Sequence, residues 1–138
     1  MHVRGRLIGG CIETVSILAG TSYGDLETFT REHAQEGPIV YVEAASDGAT
    51  DIARDLWRMH LAGWFDRAHA VLVRRTRALD ADGFSQLDAV RSPLGDLGVP
   101  IVLDVDCGHV PPHLALVNGV LAQLDVTTTA STLTQHLR

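Results

Sequence analysis

The run from Pro38 to Glu43, Pro-Ile-Val-Tyr-Val-Glu, is apolar until its last residue and rich in β-branched side chains. A strand that is apolar on both faces is typical of a parallel sheet buried between other layers. Residues 68–73 are expected to form the next strand, and residues 99–105 a further buried one. This pattern constrains the fold strongly, because parallel strands need crossover connections, which are usually helices.

The segments between these runs change to helical spacing. Helices are predicted over residues 12–18, 49–61 and 85–97, with one or two further turns within residues 26–35. Pro93 is expected to kink or split the helix that contains it. A short extended piece over residues 4–8 and an antiparallel pair over residues 119–126 and 131–137 complete the elements. The alternation predicts a single α/β domain over residues 1–138.

Charge and composition exclude several classes of protein. The chain has 11 Lys and Arg against 17 Asp and Glu, a net charge of −6, and no basic stripe, so nucleic acid is not expected as a partner. No apolar run approaches the ~20 residues that cross a bilayer, and the N-terminus lacks the apolar core of a signal peptide. The two cysteines form no CxxC motif. A cytoplasmic protein with no membrane partner is therefore expected.

Polar side chains follow three of the predicted strands, where functional groups of open α/β sheets gather. They are Glu43, the pair Arg74 and Arg75, and the segment of residues 106–109. Glu43 is interpreted equally well as a structural residue, either a solvated strand end or a hydrogen-bond acceptor for the loop of residues 44–48, or as a functional carboxylate. His109 lies between Gly108 and two prolines, in a stiff loop that suits a general base, although a loop histidine is also a common surface residue.

Other chemistries receive less support from the sequence. Cys107, His109 and His113 could together bind a metal, but two prolines break the helix that would align the histidines, and no HExxH motif is present. Cys107 and Cys11 are possible nucleophiles, yet a small buried residue is the commoner role of a cysteine. Six serines are available, and none lies in a G-x-S-x-G motif: Ser16, Ser22, Ser46, Ser85, Ser92 and Ser131.

Six short segments occur in a fixed order that matches a known family. They are residues 5–13 (Gly-Arg-Leu-Ile-Gly-Gly-Cys-Ile-Glu), 20–25 (Gly-Thr-Ser-Tyr-Gly-Asp), 39–43, 61–66 (Leu-Ala-Gly-Trp-Phe-Asp), 97–109 and 116–120 (Leu-Val-Asn-Gly-Val). The series resembles the C-terminal domain of the serine LD-carboxypeptidase family, and most of all its microcin C immunity branch. The resemblance implies a swivelling β/α domain with a mostly parallel central sheet and no cofactor.

The resemblance also implies a Ser-His-Glu triad that is divided between two domains. Glu43 and His109 match the acid and the base, while the serine belongs to an N-terminal domain that is not found in this sequence. Gly10 and Cys11 are expected at the substrate, where backbone N–H groups could meet an anionic group. Many family members have asparagine in place of Cys11 and aspartate in place of Ala44, which puts a murein tetrapeptide substrate in doubt.

The expected function follows from this resemblance. The full-length protein would hydrolyse an amide-type bond in a murein peptide or in a peptidyl- or aminoacyl-nucleotide antibiotic, and it would form a homodimer. The isolated chain is expected to be inactive, because the missing N-terminal domain supplies the nucleophile. The alternative is a stand-alone binding module that has the same fold without catalysis.

Overall fold

The computed structural model describes residues 1–75 and 79–137. The elements follow one another as β1 (His2–Cys11), α1 (Ile12–Leu18), α2 (Leu26–His33), β2 (Pro38–Glu43), α3 (Ala49–Leu61), β3 (Ala70–Arg74), α4 (Gln86–Leu94), β4 (Ile101–Val105), β5 (Leu121–Val126) and β6 (Ser131–His136). The predicted alternation of strands and helices is thereby confirmed. Within the described residues, no helix combines the length and the apolar character needed to cross a bilayer.

One six-stranded sheet organises the domain, with the strand order β4-β3-β2-β1-β5-β6. Strands β1 to β4 are parallel, whereas β5 runs antiparallel to β1 and β6 antiparallel to β5. The mostly parallel α/β sheet expected from the sequence is therefore present. In this arrangement the carboxyl ends of β2, β3 and β4 lie side by side at one edge.

Each face of the sheet has its own apolar cluster. On one face, Val40 and Val42 of β2 pack with helical residues such as Leu56 and Met59. On the other face, Ile39 and Tyr41 pack with side chains of β1, β3 and β5. Side chains alternate along a strand, so Glu43 follows Ile39 and Tyr41 onto the face opposite the helices.

Strand β1 is longer than the expected residues 4–8, because it is paired along both sides. Arg6 to Cys11 pair with β2, and His2 to Arg6 pair with β5. Close approach of β2 requires a glycine near the end of β1: a Cβ atom on Gly9 would overlap the backbone carbonyl of Tyr41. Glycine is thus needed here for the contact of two backbones.

Two expectations about the last α/β unit are wrong. Strand β4 was expected to be buried, but it is the edge of the sheet, and Leu103 is 41% exposed because no further strand covers it. Pro93 does not split a helix over residues 85–97. It lies in the last turn of α4, which ends at Leu94 with Gly95 as its C-cap, so the missing N–H of proline removes only the bond to the carbonyl of Ala89.

Strand β4 contains a bulge. Leu72 of β3 is opposite Val102, but Arg74 is opposite Val105, so two positions on β3 correspond to three on β4. Asp104 accommodates the extra residue with a φ of 58°, in the left-handed region that aspartate tolerates better than most residues. The bulge therefore redirects the chain just before the segment that carries His109.

Candidate active site

Glu43 ends β2 as a buried carboxylate. Its side chain is 7% exposed, and its Oε2 accepts a hydrogen bond of 2.7 Å from Nη1 of Arg74. The interpretation of Glu43 as a solvated strand end is therefore wrong. A buried carboxylate needs partners that compensate its loss of water, and Arg74 is the first of them.

His109 is the second partner of this carboxylate. Its Nδ1 lies 3.0 Å from Oε2 and 3.0 Å from Oε1 of Glu43. A carboxylate accepts hydrogen bonds, so a neutral His109 carries its proton on Nδ1 and leaves Nε2 as a free acceptor. The imidazole is 62% exposed, although its partner is buried. A reactant arriving from solvent can therefore reach the ring.

The loop of His109 is built so that the ring reaches across β3 to β2. After the bulge, the N–H of Cys107 donates to the carbonyl of Val105 at 2.9 Å, and Cys107 bridges to Leu114 on the returning chain. Gly108 follows with a φ of 81°, in the region that favours glycine, and packs against the carboxylate of Glu43. This tight bend places Nδ1 of His109 at hydrogen-bond distance.

Asn118 fastens the far end of the same loop to β1. Its Oδ1 accepts from the N–H of Gly9 at 3.0 Å, and its Nδ2 donates to the carbonyl of Gly9 at 3.0 Å. Strand β5 pairs with β1 only as far as Arg6, and beyond it the amide of Asn118 makes the hydrogen bonds that a neighbouring strand would make. Sequence reasoning assigned no role to Asn118, because a single asparagine in a loop carries no signal of its own.

Arg74 ends β3, the strand between β2 and β4, and it contacts the acid Glu43 directly. Its side chain is 1% exposed, and Nη1 also donates to the carbonyl of Ala44 at 2.8 Å. Its neighbour Arg75 points instead to Asp106, with an Nη2–Oδ1 distance of 2.8 Å, and is 44% exposed. The sequence placed both arginines at the strand end without separating their roles.

Gly10 and Cys11 lie at the same edge, where they pair with Val42 and Glu43 across β1 and β2. The Sγ of Cys11 donates to Oε2 of Glu13 at 2.6 Å. Burial, together with the hydrogen bond and the charge of Glu13, raises the pKa of the Cys11 thiol to about 11. No finding bears on contact between these residues and a substrate, and that role stays a prediction.

Glu13 organises the loop that follows Glu43. Its Oε1 accepts from the N–H groups of Ala45 and Ser46 at 2.8 Å each and of Asp47 at 3.2 Å. Burial alone would raise the pKa of Glu13, but the hydrogen bonds from Cys11 and from these backbone groups lower it to about 2. Glu13 is therefore an ionised anchor, which the sequence did not reveal.

The cysteine and metal hypotheses find no support in this geometry. Burial, and then the charge of Glu43, raise the pKa of Cys107 to about 11, so both thiols stay protonated at neutral pH and are poor nucleophiles. Across residues 1–75 and 79–137, no three His, Cys, Asp or Glu side chains are grouped so as to hold a metal ion. Cys107, His109 and His113 are therefore not brought together as a ligand set.

The fold is that of a domain from carboxypeptidase-like hydrolases. Residues 4–124 match the family model described as the LD-carboxypeptidase C-terminal domain, and the chain belongs to this family. The resemblance seen in the sequence is thereby confirmed.

Three proteins illustrate the similarity. A Streptomyces coelicolor protein, by name a carboxypeptidase, is 30% identical over 141 residues, which cover 96% of this chain and 40% of that protein. The microcin C7 self-immunity protein MccF of Escherichia coli is 24% identical over 125 residues, 89% of this chain and 34% of that protein. A muramoyltetrapeptide carboxypeptidase from Oxalobacter formigenes has the same fold, with a TM-score of 0.77 at 20% identity over 96% of this chain and 45% of that one.

A structure of MccF in complex with glutamyl sulfamoyl guanosine also shares the fold, with a TM-score of 0.71 at 22% identity. The match covers 90% of this chain and 36% of the MccF chain. The chain thus spans between a third and about two fifths of the curated relatives it matches.

Proposed function

We propose that this chain supplies the acid and the base of a Ser-His-Glu triad in a serine hydrolase. One observation carries the proposal: Nδ1 of His109 lies 3.0 Å from the carboxylate of Glu43, which is buried, while the imidazole is exposed. This is the relation that orients an imidazole in a triad. Membership of the LD-carboxypeptidase family supports the same assignment.

Each residue has a distinct role in the proposed reaction. Glu43 accepts the Nδ1–H bond, holds the ring in one orientation and stabilises the imidazolium when it forms. Nε2 of His109 takes the proton from the serine hydroxyl as that oxygen attacks the substrate carbonyl, and it then returns the proton to the leaving amine. Water repeats the sequence to hydrolyse the acyl-enzyme.

The serine belongs, in this proposal, to a separate N-terminal domain, and residues 1–138 form the C-terminal domain. The greater length of the relatives supports this organisation. The 138-residue chain alone would then be inactive, because the activated nucleophile and the oxyanion hole would belong to the other domain. We propose in addition that the whole protein is a cytoplasmic homodimer that needs no cofactor.

The proposed substrate contains an amide-type bond beside a free carboxylate. Two kinds of substrate are supported by what the similar proteins are named for: a murein peptide, and a peptidyl- or aminoacyl-nucleotide antibiotic. Gly10 and Cys11 lie next to Glu43 in the sheet and are proposed to contact the substrate near the scissile bond.

The test uses the protein encoded with this chain, beginning with the reading frame upstream of Met1. If that frame encodes a serine-bearing domain, the whole protein is assayed on a murein tetrapeptide and on glutamyl sulfamoyl guanosine. His109→Ala is expected to lower kcat by at least about a thousandfold and Glu43→Gln by a similar factor. His136→Ala, far along the chain in β6, serves as the control and should retain full activity.

Full activity in the His109→Ala protein would refute the triad. A His109-dependent amidase rate from the purified 138-residue chain would refute the divided site. If a stop codon precedes Met1 and the chain binds the tetrapeptide without turnover, the protein is a binding module instead.

A further inference from the structure

The proposed triad gives no role to Arg74, although this residue contacts the acid. Its guanidinium is almost completely buried, it contacts Glu43 directly, and it does not reach His109 in any hydrogen bond of the described residues. Glu43 therefore has two partners of unequal exposure, since its carboxylate contacts both the buried guanidinium of Arg74 and the exposed imidazole of His109.

A contribution to stability alone does not explain why an arginine is buried at position 74. Within residues 1–75 and 79–137, its Nη2 is buried and has no hydrogen-bond partner. A buried ion pair with an unsatisfied donor is commonly less stable than an apolar pair of the same volume, because desolvation offsets the attraction between the charges. A role beyond packing is therefore the better explanation of this side chain.

The contact with Glu43 indicates what that role is. The carboxylate of Glu43 can accept from Nδ1 of His109 only while its oxygens face the ring. If the carboxylate turned away, the ring would no longer be held with its proton on Nδ1. Arg74 prevents this, since its Nη1 holds Oε2 of Glu43 at 2.7 Å, and its second bond to Ala44 fixes the guanidinium in place.

We propose that Arg74 is a positioning residue that acts through Glu43 to set the tautomer of His109. It keeps the carboxylate of Glu43 turned so that both of its oxygens lie 3.0 Å from Nδ1. The inference rests on the proposed function for its meaning in catalysis. The tautomer itself can be measured without any catalysis.

The experiment measures the ring-nitrogen signals of His109 by ¹⁵N NMR on the 138-residue chain at neutral pH. In the unmodified protein the Nδ1–H form of His109 is expected to dominate, because Glu43 accepts that proton. In Arg74→Gln the Nδ1–H form should become the minor tautomer. Arg74→Lys retains a cation beside Glu43 and should retain the Nδ1–H form.

Arg75→Gln is the matched control, because Arg75 occupies the next position, is paired with Asp106 and makes no bond to Glu43. It should leave the tautomer of His109 unchanged. If Arg74→Gln does not fold by circular dichroism, Arg74→Met replaces it, since methionine fills the buried position without adding a polar group that needs a partner. A dominant Nδ1–H form in a folded Arg74→Gln or Arg74→Met protein would overturn the inference.

The outcome separates this inference from the proposed function. If the tautomer changes in Arg74→Gln but the whole protein shows no His109-dependent hydrolysis, the positioning role stands and the triad fails. If hydrolysis depends on His109 but the tautomer does not change, only the role of Arg74 is lost.

Discussion

Gly108 lies directly against the carboxylate of Glu43, so closely that a Cβ atom at this position would overlap Oε2. The glycine also has a φ of 81°, which other residues rarely adopt. The backbone of the histidine loop and the acid of the proposed triad are therefore packed as one unit. Any side chain at position 108 must move one of the two.

Gly108→Ala is expected to displace Glu43 and to break its contact with Nδ1 of His109. Gly98→Ala is the matched control, because Gly98 has a φ of 70° and nothing within 4 Å of its would-be Cβ atom. Both variants should lose about 1 kcal/mol of unfolding free energy from backbone strain. Urea unfolding should show a larger loss for Gly108→Ala alone, and ¹⁵N NMR should show a changed His109 signal in that variant only. Equal effects of the two substitutions would contradict the packing described.

Asn118→Ala should loosen the loop that carries His109. The substitution removes both hydrogen bonds to Gly9 and leaves that N–H and that carbonyl without their partner, at a cost of about 1–3 kcal/mol. Amide hydrogen exchange should become faster at Gly9 and through the loop before β5. Gln35→Ala, at an exposed position, should do neither. An unchanged exchange rate at Gly9 in Asn118→Ala would show that the amide is not the anchor.

The lowered pKa of Glu13 predicts how the free energy of unfolding depends on pH. Its pKa in the folded protein, about 2, lies below its ordinary value of 4.5. Ionised Glu13 therefore stabilises the fold fully above about pH 4.5, and the contribution is lost as the pH falls toward 2. Glu13→Gln should cost about 1–2 kcal/mol at pH 7, allowing for partial solvent exposure.

Urea unfolding of the parent protein and of Glu13→Gln, from pH 7 down to the lowest pH at which both are folded, tests this prediction. The difference between their free energies of unfolding should shrink as the pH falls. Glu32→Gln, at an exposed ion pair with Arg31, should show almost no difference at any pH. A constant difference for Glu13→Gln would mean that the charge of Glu13 contributes nothing.

The two cysteines should react slowly with iodoacetamide in the folded protein at pH 7.5, since the pKa of each is raised to about 11 and the thiolate is the reactive form. Glu13→Gln removes the charge beside Cys11, so alkylation of Cys11 should become faster while that of Cys107 does not change. Mass spectrometry of the alkylated peptides measures both rates in one sample, and urea-unfolded protein gives the upper limit. Rapid alkylation of either native thiol would reopen the cysteine-nucleophile hypothesis.

The sequence predicted the elements well because their signals are local. Apolar β-branched runs and helical spacing each depend on a few neighbouring residues, and the strand over Pro38–Glu43 was predicted with the bounds that it has. The position of a strand in the sheet depends on distant crossovers instead. For that reason the apolar run of β4 could not be distinguished from a buried strand, although β4 is an edge.

The candidate site was predicted only in part, for the same physical reason. Glu43 and His109 were singled out because each follows a strand, and the family resemblance joined them. Their surroundings could not be predicted, because Arg74, Glu13 and Asn118 act through contacts between residues far apart in the chain. Nothing in the local pattern distinguishes Arg74 from Arg75, although one is buried and the other half exposed.

The bulge in β4 decides which side of the sheet carries the histidine. Val102 and Val105 both pack on the face opposite the helices, although Val105 is three residues further along the strand. In a regular strand the two would face opposite ways, and everything after Val105 would turn toward the helices. Deleting one residue at position 103 or 104 would therefore not merely shorten a loop. The residues after the deletion would face the other side of the sheet, and His109 would be carried away from Glu43. This strand should therefore tolerate substitutions far better than changes of length.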